Sequence, residues 1–168
     1  MSIERARNRI AALRCRTDTI DPGELDAIWA DLETAHIDDI IGEWRGVALD
    51  TGHRAVAAMR AIRWYGTRFN SRMDAHPIVR YDPDGNLYSD TDYADGAASL
   101  WMVEFRGEVT ATMVYDGVPV FDHLKRVDDN TLLGIMNGKQ FAPDSDDHFY
   151  FLLDRVPATE EKMAAEFE

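Results

Sequence analysis

The chain has 168 residues, with 31 Asp and Glu against 18 Lys and Arg, and a formal net charge of −13 at pH 7. A field of that sign repels polyanions, which argues against nucleic acid and anionic bilayers as partners. The length suits one domain with its own core, and the single cysteine, Cys15, excludes an internal disulfide and a cysteine-based zinc site.

The amino terminus, MSIERARNRIAALRCR, is charged from its fourth residue and holds no apolar run of the kind a signal peptide needs. Nothing further on approaches the ~18 apolar residues of a membrane span, so no stable membrane insertion is expected and the chain reads as soluble and cytoplasmic. Arg5, Arg7, Arg9, Arg14 and Arg16 make residues 1–17 a basic arm ahead of an acidic stretch from Asp18 to Asp39. Such an arm is either solvated or a helix folded back on its acidic neighbour, with docking of a partner as the alternative. Asp21-Pro22-Gly23-Glu24 then supplies a capping aspartate, a proline at the first helical position and an acid in the first turn. Leu25, Ile28, Trp29 and Leu32 follow at helical spacing. A short helical turn is expected through Ile37, Ile40 and Ile41, and a third helix over about residues 53–63, where Ala55, Val56, Met59 and Ile62 repeat the period.

From Trp64 onward, turn chemistry recurs every 8 to 12 residues or so between runs of Val, Tyr, Phe, Thr, Leu and Ile, which is the mark of an antiparallel meander. Strands are expected near 64–69, 77–81, 86–89, 98–106, 108–116, 118–127, 131–138 and 148–156, with a last helical turn or frayed end over 159–168. Closure removes exposed sheet edges most economically. The expected fold is therefore mainly β (α+β), a small antiparallel β-barrel, lipocalin-like or PH-like, with the N-terminal helices packed at one end. Residues 1–168 are read as one compact unit, with 20–80 forming the first part and 96–156 the C-terminal barrel part. Leu100, Met102, Val109, Ala111, Met113, Leu133, Ile135, Phe149, Phe151 and Leu153 are the expected lining. Sequence does not say whether that lining meets itself as a solid core or leaves a cavity.

In Gly42-Glu43-Trp44-Arg45-Gly46 the glycines permit a tight backbone and the indole supplies area, which suits a plug closing the barrel's bottom. Arg45 is expected to stack on that ring or pair with a carboxylate, and Trp44 and Arg45 are also candidates to line a ligand site, the indole giving area and the guanidinium fixing an anionic or carbonyl head. Trp64 and Tyr65 of WYGTRF, with Met113 and Tyr115, complete the candidate ligand contacts, and Gly66 is a candidate bulge. His53, where a helix begins, is either a helix-start residue or a donor, acid or base toward a ligand. Asp122 and His123 are strand neighbours and point to opposite faces, so both cannot face one cavity unless a bulge intervenes. An inward His123 would be an acid or base, with Tyr115 or Asp116 nearby; an inward Asp122 would need a partner such as Arg45, Arg68, Lys125 or Arg126.

The five histidines share no two-histidine metal motif, Asp144 to Asp147 lack calcium-loop spacing, and neither a phosphate-binding loop nor a nucleophile elbow occurs. No metal and no cofactor are called for.

Two distant segments point to a family. GEWRG, with TGHRAVAAMRAIRWYGTRF from Thr51 to Phe69 and the step His76-Pro77-Ile78, resembles the GXWXG protein family. VYDGVPVFDHLKRVDDNTLLGIMNGK from Val114 to Lys139 and the closing FYFLLDR resemble the uncharacterised domain that usually follows it. The resemblance covers roughly residues 20 to 156 and brings no settled activity with it. From the residues themselves, the leading reading is a barrel that binds a small apolar or amphiphilic molecule, lipid-like or terpenoid-like. Its alternative is a cofactor-independent isomerase, cyclase or hydrolase using His123, His53 or Asp122 as acid or base on such a molecule. A solid-cored interaction protein is the third option, and a homodimer is left open.

Overall fold

The computed structural model describes residues 2–139 and 148–158. Among these residues four helices, α1 (Ile3–Leu13), α2 (Pro22–Asp31), α3 (Ile37–Ile40) and α4 (Arg54–Ala61), are distributed among ten strands. These are β1 (Glu33–Thr34), β2 (Gly42–Ala48), β3 (Trp64–Ser71), β4 (Asp74–Tyr81), β5 (Leu87–Ser89), β6 (Ala98–Phe105), β7 (Glu108–Tyr115), β8 (Val120–Asp128), β9 (Thr131–Gly138) and β10 (Phe149–Arg155). Eight of them close an antiparallel barrel in the order β8-β7-β6-β4-β3-β2-β10-β9, with β9 pairing back to β8. The seams are unequal: β6 and β7 share eight residue pairs, whereas β4 meets β6 only at Ala75 and Ala98. Beyond the ring, β5 pairs with β4, and β1 takes over the edge of β8 at Lys125 and Arg126, past the point where β7 leaves it.

The expected strands from β3 onward lie within a few residues of those observed. β2 is the strand the sequence hides, because its two glycines read as a turn around a plug rather than as a ladder. It carries Trp44 into the interior and Arg45 outward, and pairs with β3 on one side and β10 on the other.

Alternation along the strands builds two apolar layers. Trp44, Phe69, Leu100, Met113, Leu124, Leu132 and Leu153 meet inside the barrel, joined at its ends by Ile37 and Ile40 of α3 and by Ala55 and Val56 of α4. On the outer wall of β8, β9 and β10, Val127, Leu133, Ile135, Tyr150 and Leu152 pack against Ile10 and Leu13 of α1 and Leu25, Ile28 and Trp29 of α2. Leu133 and Ile135 are therefore not lining residues as expected: they point outward beneath the helices. Val109 is 53% exposed. The error has a physical source, since a strand buried on both faces, such as Leu132-Leu133-Gly134-Ile135-Met136, shows no polar alternation from which to read its inner side.

The basic arm is helix α1 over most of its length. Ser2 caps it, and Asp21 caps α2 by accepting from Gly23 N at 2.9 Å. Arg14 grips Asp154 of β10 through two bonds of 2.8 and 2.5 Å, Arg7 Nε donates to Val127 O at 2.6 Å, and Arg16 bonds both Asp18 and Glu24. The expected tail over 159–168 and the turn Pro143 to Asp147 lie outside the described residues.

Candidate functional site

One end of the barrel is filled and the other is open. The filled end is built on the GEWRG segment: Trp44 is fully buried, its indole Nε1 donates to Ile40 O at 2.8 Å, and α3 seals the space below it. A guanidinium does lie over this ring, but it belongs to Arg155, 4.3 Å from the ring centroid, and it donates to the carbonyls of Ile41 and Asp39 at 3.0 and 2.7 Å. Arg45 is on the exposed face of β2, beside Tyr65, which packs edge-on against Tyr81. Strand parity puts both outside the barrel, so neither contacts the interior as expected.

The glycines of the motif have separate work. Gly42 has φ +136°, a conformation L-residues rarely adopt, at the entry to β2. Gly46 faces inward, and a Cβ there would stand 2.2 to 2.6 Å from ring atoms of Trp64. Its missing side chain is the seat of that indole, which is further held by Nε1 donating to Pro77 O at 3.1 Å and by an edge contact with Phe151. A register shift between Trp64 and Gly66 accompanies this arrangement.

Above Trp64 lies a cavity of about 320 Å³. Its wall is mostly apolar, with Met59, Trp64, Ile78, Met136, Phe149 and Phe151 prominent, and α4 and the Tyr93-Ala94 loop form its rim with Arg54 and Val118. Of the expected ligand contacts, Trp64 and Tyr115 line it; Met113 and Trp44 belong to the packed interior. Met59, Met136 and Ile78 were not singled out from sequence, although their places on α4, β9 and β4 put them beside residues that were.

Asp122 supplies the strong polar group. Val120, Asp122 and Leu124 face inward along β8, and His123, Lys125 and Val127 face outward. Asp122 is 4% exposed and lines the cavity; its Oδ2 accepts from Tyr115 Oη at 3.0 Å, while Oδ1 is buried with no hydrogen-bond partner among the described residues. Burial pushes its pKa up to about 7, against the lowering effect of the Tyr115 bond. Burial and the nearby carboxylate hold the Tyr115 phenol well above its ordinary value. The partner expected for an inward Asp122 was cationic, and the structure corrects this: Arg68 pairs with Glu43, Lys125 with Glu108 and Arg126 with Asp129. A neutral hydroxyl leaves the carboxyl's desolvation almost uncompensated, which is why its pKa rises.

His123 is 3% exposed but on the other face of the wall, stacked on Phe105 at 3.9 Å. Its Nε2 donates to Asn137 Oδ1 at 2.8 Å and its Nδ1 meets Thr112 Oγ1 at 3.0 Å. Burial lowers its pKa to about 4. His53 caps α4, its Nδ1 accepting from Ala55 N at 3.0 Å, and its ring rests 6.1 Å from that of Phe149 behind the cavity wall. Among the described residues no group of three or more His, Cys, Asp or Glu side chains is placed to hold a metal ion, and no helix is long and apolar enough to cross a membrane. Asp144 to Asp147, considered for calcium, fall outside those residues.

Residues 27–85 match the model described as GXWXG protein, and residues 96–155 the model described as Domain of unknown function (DUF4334). The first match holds β2 to β4 and the second β6 to β10, so both supply strands to the same ring. A similar solved structure is the crystal structure of a protein from Thermomonospora curvata, 33% identical, with a TM-score of 0.81, covering 90% of this chain and 99% of that one. Comparison with curated proteins returns no match.

Proposed function

We propose that this chain, which belongs to the GXWXG protein family, binds a small apolar or amphiphilic molecule, lipid-like or terpenoid-like, in the open half of its barrel. The observation that carries the reading is the cavity of about 320 Å³, walled by methionine and aromatic side chains around one buried carboxyl. Binding sites of small molecules have this character, a largely apolar wall with a few placed polar groups. The volume equals that of about ten waters, hence of a ligand with roughly that many heavy atoms. Burying about 300 Å² of apolar ligand surface is worth on the order of 7 kcal/mol before association entropy is subtracted, which is compatible with micromolar affinity.

Native mass spectrometry of protein taken from cells, then titration with alkanes, alcohols, ketones, fatty acids and isoprenoids, tests the reading. Ala58→Phe, which fills the cavity, is expected to abolish binding. Failure of the whole panel to bind the wild-type protein refutes it.

One observation favours a second reading, a cofactor-independent isomerase, cyclase or hydrolase acting on the same class of molecule. Asp122 faces the cavity with its Oδ1 unpartnered among the described residues, and burial pushes its pKa up to about 7, where a carboxyl both gives and takes a proton near neutrality. If this is the role, Asp122→Asn removes turnover of a bound substrate while binding survives; unchanged turnover in that variant excludes Asp122 from the chemistry.

A further inference from the structure

An amphiphile carries a charged or an uncharged head, and the polar spot of the cavity discriminates between them. Asp122 is the one carboxyl in the described cavity wall, more than nine-tenths buried, and no cationic side chain accompanies it at depth. The groups facing the same space are Tyr115 from β7, Tyr93 from the loop before β6 and Arg54 from α4 at the exposed rim; Met136 of β9 brings no charge. A ligand carboxylate brought to Asp122 would set two like charges side by side away from water, which is costly. An uncharged oxygen meets no such cost.

The hydrogen bonds give the direction of recognition. Oδ2 is occupied by the Tyr115 hydroxyl, which donates to it, so in the neutral carboxyl the proton sits on Oδ1, the unpartnered atom. We infer that the cavity selects an uncharged apolar molecule bearing an acceptor oxygen, such as a ketone, aldehyde, ester or ether, which takes a hydrogen bond from the Oδ1 hydroxyl of Asp122. The inference rests on the ligand-binding reading above and narrows its ligand to one class. Tyr115 strengthens the contact, because a donor at Oδ2 polarises the carboxyl and makes Oδ1–H a better donor.

The test is competition of n-octane, 2-octanone and octanoate against the fluorescent dye 1-aminoanthracene, at pH 5.5 and 8.5. At pH 5.5, 2-octanone is expected to bind at least tenfold more tightly than octane or octanoate. By pH 8.5 most of that preference over octane is expected to be lost, because the protonated fraction of Asp122 falls roughly 30-fold across a pKa of about 7. Asp122→Asn, whose amide also donates, keeps the preference for the ketone and loses the pH dependence. Asp122→Leu binds octane and 2-octanone alike, with circular dichroism confirming its fold. Equal binding of ketone and hydrocarbon by the wild type, or tighter binding of octanoate, overturns the selectivity and leaves the ligand-binding reading standing. Exclusion of the dye and all three compounds overturns both.

Discussion

Substituting Gly46 by alanine should injure the protein through Trp64 and almost through nothing else. The added Cβ would lie 2.2 Å from the nearest indole carbon, whereas carbon atoms in contact settle at about 3.5 to 4.0 Å, so the ring must retreat by more than an ångström. Overpacking of this kind costs about 1 to 3 kcal/mol, and a retreating ring also gives up the bond from Nε1 to Pro77 O, worth about 1 kcal/mol. A total near 3 kcal/mol lowers the melting temperature of a chain this size by roughly 6 to 12 °C. The assay is a double-mutant cycle by urea denaturation with Gly46→Ala, Trp64→Leu and the pair. In the Trp64→Leu background alanine at position 46 meets no ring and should be close to neutral. Additivity of the two changes to within about 0.5 kcal/mol would refute the contact as the reason for the motif's second glycine.

Asp122 makes stability fall with rising pH: its pKa is raised on folding, so its contribution is present below the unfolded value of about 3.8 and lost as pH climbs through about 7. Urea melts at pH 5 and 8 should show the wild type losing about 3 kcal/mol relative to Asp122→Asn, and parallel profiles would contradict the buried carboxyl. His123 has the opposite sign, because its lowered pKa means stability is held above about 6.5 and lost as pH falls toward about 4. Relative to His123→Gln, the wild type should lose about 2.5 kcal/mol between pH 7 and 4.5, and the variant should bind ligand normally, since the ring lies outside the barrel. Arg155→Lys should cost about 2 kcal/mol in thermal unfolding despite keeping the charge, because one ammonium cannot cover Trp44 and bond separate carbonyls as the guanidinium does.

Barrel class and most strands were legible because turn residues punctuate the chain and the strands between them are β-branched and aromatic. Which way each side chain points was legible only where one face meets water. Leu100 and Trp101 sit side by side on β6, one fully buried and the other 49% exposed, and no composition rule separates them. On β8 the rule that neighbours diverge correctly left a choice between Asp122 and His123, but both faces there are covered, so burial alone could not decide it. Asp122 went inward with a hydroxyl for a partner, a solution that leaves no charge pattern to detect. Arg155 over Trp44 was equally silent, since the two are joined only by the pairing of β2 with β10, across most of the chain.

The thin junction where Ala75 meets Ala98 makes the barrel divisible. Cutting the backbone between Ser89 and Ala98 breaks the ring where fewest pairings hold it, while the five pairs joining β2 to β10 and the two joining β1 to β8 stay available to draw the pieces together. Produced as two polypeptides, the halves should anneal into the same vessel, with the cavity assembled only on reunion. The protein is thereby suited to use as a split reporter whose signal is a dye captured by the restored interior.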